Sequence, residues 1–159
     1  MLNEPKNCIT SAVVAGRNKR TKKMEIDSKL RLHFLNLYCM VIADGIVDPK
    51  ELETIYRIGR ENYGLSEEEI NKAVVGAGTT YVIPESTEER IRILYEMAII
   101  AWADGKIEDS ERKMLRDYAL RYGIVENTAI AFVDYLLEKA HNNISVEDII
   151  NELEKTDTV

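Results

Sequence analysis

From about Asp27 onward, apolar residues recur at spacings of three and four, the period of a helix that buries one face. Leu30, Phe34, Leu37 and Val41 share such a face, and the run continues to Ala43 before Asp44-Gly45 stops it. Asp48-Pro49 opens a second helix, because aspartate caps well and proline suits the first helical position. That helix carries Leu52, Ile55, Tyr56 and Gly59 on one face and ends near Tyr63-Gly64. Ser66 and Glu69 form a capping box ahead of a third helix with Ile70, Ala73, Val74 and Ala77. GAGTTYVIPES then breaks the period and is the main internal connection. A second capping box, Ser86 with Glu89, starts a helix with Ile91, Leu94, Tyr95, Ala98 and Trp102, which halts at Asp104-Gly105. The next carries Leu115, Tyr118 and Tyr122 and ends at Gly123. Ile130, Val133, Leu137 and Ala140 mark a sixth, and Ser145 caps a short last helix with Ile149, Ile150 and Leu153. No stretch alternates with period two between turn residues, so strands are not expected. The pattern predicts an all-α protein, a compact bundle of seven to eight helices, with ITSAVVAG near the start as the eighth.

Residues 1–24 read as an arm or short helix with a basic linker, and 25–159 as the helical domain. In the arm, RNKRTKK brings Arg17, Lys19, Arg20, Lys22 and Lys23 close together. Such a run is a solvated linker, or a contact for an acidic partner, nucleic acid or anionic lipid. At 159 residues the chain fits one domain. Its net charge of −7 argues against general nucleic-acid binding, which needs a basic face, and leaves only a local contact through the arm. Cys8 and Cys39 are too few for a disulfide framework. The longest apolar runs, LYCMVIA and MAIIAWA, fall far short of a membrane span, and no secretory signal is visible, so a cytoplasmic protein is expected.

Ala43-Asp44-Gly45 recurs sixty positions later as Ala103-Asp104-Gly105. The agreement continues: Val47 with Ile107, Asp48 with Glu108, Glu51 with Glu111, Ile55 with Leu115, and after a one-residue slip Tyr63-Gly64-Leu65 with Tyr122-Gly123-Ile124. Duplication of a helix–acidic-loop–helix unit accounts for this shared order. Turn chemistry alone gives each position a role: glycine ends a helix, Val47 or Ile107 plugs the loop into the core, and the acids cap the following helix. The alternative is metal binding. If the halves pack about a pseudo-twofold axis, Asp44, Asp48, Glu51, Asp104, Glu108 and Glu111 would share one region, and an oxygen-only set suits Ca2+ or Mg2+. The spacing also imitates the second half of an EF-hand loop. Its first ligand positions would be Met40 and Ile42, or Ile100 and Trp102, which cannot coordinate calcium through their side chains.

At IADGIVDPKEL and AWADGKIEDSERKML the sequence resembles the TerB-like superfamily, the tellurite-resistance-associated helical domains also found in DjlA-type co-chaperones. The resemblance implies a duplicated helical bundle acting in bacterial stress response or phage defence. It also implies a divalent cation at Asp44, Asp48 and Glu51 and at Asp104, Glu108 and Glu111, with another protein of the same pathway or operon as partner. Lys106, directly after the second Asp-Gly, sets the second loop apart from the first. The expected class is therefore a non-catalytic interaction or adaptor module. A metal-dependent hydrolase or its accessory subunit is the alternative, because clustered carboxylates and metal support phosphate-ester hydrolysis. Against it, His33 and His141 stand apart from each other and from any nucleophile, and read as packed or surface residues. No glycine-rich phosphate loop is present either.

Overall fold

The computed structural model describes residues 28–42, 45–76 and 83–156. These residues form seven helices and no strand: α1 (Ser28–Val41), α2 (Pro49–Tyr63), α3 (Glu67–Gly76), α4 (Thr87–Ala101), α5 (Asp109–Arg121), α6 (Glu126–His141) and α7 (Val146–Lys155). The all-α bundle read from the sequence is the fold. The segment ITSAVVAG lies outside the described residues, and so do Ala43 and Asp44. Among the described residues no helix is long and apolar enough to cross a membrane.

The helices begin where the sequence supplies caps. At α3 the box is reciprocal: the Glu69 amide donates to Ser66 Oγ at 3.2 Å, and the Ser66 amide donates to Glu69 Oε2 at 2.7 Å. At α4 half of the expected box is made, the Glu89 amide donating to Ser86 Oγ at 3.0 Å. Ser145 caps α7 by accepting from the Asp148 amide at 3.2 Å.

Helix α4 is the centre of the bundle. It packs against α1, α2, α5, α6 and α7. Ile91, Ile93, Leu94, Tyr95, Met97, Ala98, Ile100 and Ala101 are all buried, so its side chains face protein all the way round. The same pairings occur on either side of the α1–α4 contact: α1 packs on α2 and α3, and α4 packs on α5 and α6. Within α2, Gly59 lets α3 approach closely. A Cβ there would sit 2.3 Å from Ile70 Cδ1, and Ile70 is itself buried.

Three expectations are corrected. Helix α1 ends at Val41 rather than at Ala43. Ile130, assigned to the buried stripe of α6, is exposed, because Ala129, Phe132, Val133, Leu136, Leu137 and Ala140 form the buried face instead. Val47 does not plug its loop into the core. It is exposed together with Ile42 and Ile46, whereas Ile107 packs against the core as expected.

Candidate functional site

The two acidic loops match at their glycines. Gly45 and Gly105 both adopt the left-handed conformation, with φ of 81° and 86°. Their amides donate to the carbonyls of Ile42 and Trp102 at 3.0 and 2.9 Å, so each glycine closes the turn that ends its helix. In the first loop Asp48 caps α2, accepting from the Lys50 amide at 2.7 Å. In the second, Asp104 Oδ1 accepts from the Lys106 amide at 3.1 Å, and the Glu108 amide donates to Glu111 Oε2 at 2.7 Å.

The sequence pairs Glu51 with Glu111, and the fold brings the two together. Both are buried near the start of their helices, and their carboxyl groups hydrogen-bond to each other. Such a bond requires a proton on one of the two groups. Burial is the largest influence on Glu111 and pushes its carboxyl above the ordinary range. The hydrogen bonds from Glu51 and from the Glu108 backbone oppose that shift, while the negative charges of Asp104 and Glu108 add to it. The contact joins the first turn of α2 to the first turn of α5.

Lys106 distinguishes the second loop. Its ammonium lies 2.6 Å from Glu108 Oε1, and this bond holds it above the usual lysine range. The second loop therefore carries its own cation. The position sixty residues earlier is Ile46, which is exposed and uncharged. Of the six acids singled out from the sequence, Glu51 and Glu111 meet, Asp48 and Glu108 stand at the helix starts, and Asp104 turns back on its own loop. Asp44 and the basic residues Arg17, Lys19, Arg20, Lys22 and Lys23 lie outside the described residues. Among the described residues no three histidine, cysteine or acidic side chains are grouped as a metal site would need.

A second polar centre was not foreseen. His33 of α1 pairs through Nε2 with Glu96 Oε2 of α4. The Tyr63 hydroxyl, at the end of α2, donates to Glu96 Oε1 at 3.0 Å and lies 3.1 Å from His33 Nε2. Asn62 Nδ2 reaches the same carboxylate at 3.5 Å. Burial first, then the neighbouring Glu96 charge, push the Tyr63 hydroxyl far above its ordinary range, so it stays a donor. Glu96 is 1% exposed and His33 8%, which suits a polar latch among three helices better than a site open to a substrate. One signal for it was present in the sequence: Glu96 is the only charged residue between Ile93 and Ala103. A carboxylate on such a helix needs a buried partner. His141 is exposed and lies against Trp102, with ring centroids 4.5 Å apart.

Comparison of the chain with protein families, curated proteins and solved structures finds no match.

Proposed function

We propose that this chain is a TerB-like interaction module of a cytoplasmic bacterial stress-response or phage-defence assembly, and that the junction of its acidic loops responds to Ca2+ or Mg2+. The observation that carries the reading is the meeting of Glu51 and Glu111, because it joins the two acidic units at one buried point. The donor chemistry there fits a hard cation, which prefers carboxylate oxygen. Glu51 and Glu111 would hold it, with Asp44 and Asp48 from the first loop. Bound there, the cation would supply positive charge between the two carboxyl groups. Lys106 already neutralises Glu108, so the first-loop side is the favoured one. The module acts by binding rather than catalysis, since the acids that could assist a reaction are engaged at helix starts and turns.

Thermal unfolding with and without a chelator tests this reading. A ligand bound only by the folded state raises the melting temperature by mass action. Millimolar Ca2+ or Mg2+ is expected to raise it in the wild type. Asp44→Asn and Glu51→Gln should remove the response while the fold persists, and Asp104→Asn should weaken it less. Equal melting temperatures in chelator and in excess Ca2+, Mg2+ or Mn2+ would leave these acids only their capping role.

A further inference from the structure

Trp102 and His141 join the ends of α4 and α6. Trp102 follows the last residue of α4, and its amide donates to the Ala98 and Ile99 carbonyls at 3.3 and 3.2 Å. Its half-buried indole donates through Nε1 to the Leu137 carbonyl of α6 at 2.8 Å. The exposed His141 ring, in the last turn of α6, lies against the indole with centroids 4.5 Å apart and planes tilted by 39°. The second acidic loop starts directly after Trp102. The Gly105 amide donates to the Trp102 carbonyl at 2.9 Å, and Asp104 accepts from the Lys106 amide. Whatever fixes Trp102 therefore fixes the root of that loop.

Imidazole is the side chain whose charge ordinarily changes between about pH 5 and 8. In this place its two charge states are not equivalent. An imidazolium is attracted by the face of an indole and by the carbonyl end of a helix, and His141 meets both. The neutral ring keeps only its contact with the indole. We propose that Trp102 and His141 form an acid-strengthened clasp on the second acidic loop, closed when the imidazole is charged and loosened when it is neutral. The charged groups of α6 and of the elements beside it are largely engaged with one another. Lys139 is held by Glu152 of α7 at 3.0 Å, Asp134 pairs with Arg112 of α5, and Glu138 stands exposed one turn before His141. On α4 the charge nearest to Trp102 in sequence is Glu96, which belongs to the latch with His33 and Tyr63. On the loop and the start of α5, Lys106 pairs with Glu108, and Glu111, its carboxyl raised by burial, accepts from the Glu108 amide. This inference does not depend on the cation reading.

Trp102 is the only tryptophan, so its emission reports on the clasp in the full chain. The expected result is a single sigmoid in emission between about pH 5 and 8. Over the same range the Gly105 amide, followed by NMR hydrogen exchange and corrected for the intrinsic pH dependence, should be about threefold to fivefold better protected at the acid end. His141 is exposed, so substitutions there leave the core intact. His141→Gln should give flat emission and low protection throughout. His141→Lys, which keeps a cation across the range, should give flat emission and high protection throughout. Four outcomes would each overturn the proposal: emission independent of pH in the wild type, a sigmoid that survives in His141→Gln and so belongs to Glu111, a sigmoid without a change at Gly105, or low protection in His141→Lys.

Discussion

Glu51 and Glu111 show how burial can tie the titration of a carboxyl to folding. Because burial raises the Glu111 carboxyl, the folded protein holds a proton that the unfolded chain gives up in the ordinary carboxylate range. The stabilisation is therefore complete below the unfolded pKa and is lost as pH rises through the raised folded value. Glu111→Gln keeps the shape and a permanent donor without the titration. Compared with this variant, the wild type should lose stability progressively as pH rises above the ordinary carboxylate range. Urea unfolding of both proteins as the pH rises is the measurement. Parallel profiles would mean that Glu111 titrates alike in the folded and unfolded states.

At the scale of elements, the latch of His33, Glu96 and Tyr63 fixes α1, the end of α2 and α4 to one another. Removing Glu96 takes away the carboxylate that both His33 and Tyr63 bond and leaves them only each other, which costs more than the intact group contributes. Glu96→Ala should destabilise the protein by roughly 3–5 kcal/mol. The triple change His33→Leu, Glu96→Leu and Tyr63→Phe should recover most of that loss, since no orphaned polar group remains. Denaturant unfolding of the two variants decides it, and a single variant close to the wild type would show that water reaches the site. The same physics explains why this group was only partly legible. Glu96 announces a buried charge, but nothing along the chain says which of many polar residues answers it.

Over the whole molecule, stability depends on α4 being surrounded. Helix α7 supplies the last side of that enclosure with Ile149, Ile150 and Leu153, all buried, and α7 packs on α4. Each such side chain contributes roughly 1.5–3 kcal/mol by burial, against a usual total stability of about 5–15 kcal/mol. A chain ending at His141 should therefore lose its cooperative unfolding transition, read by circular dichroism on heating. A sharp transition in that variant would show that the first six helices suffice.

Local signals determined the helices of this protein. Apolar spacing, the serine caps at 66, 86 and 145, and the glycines at 45, 64, 105 and 123 act within a few residues of one another, so the sequence alone exposes them. The matching loops were legible for the same reason, and so was the pairing of Glu51 with Glu111 as like positions. Only the tertiary structure decided that these two carboxyls would touch, that His33 would find Glu96, and that Ile42, Ile46 and Val47 would lie uncovered while Trp102 is sheltered. Each of these depends on residues far apart in the chain, the two pairs being about sixty positions apart and Trp102 being covered by Leu137 and His141. Helical periodicity specifies which face is buried, but the neighbour on that face is chosen by packing the whole chain around α4.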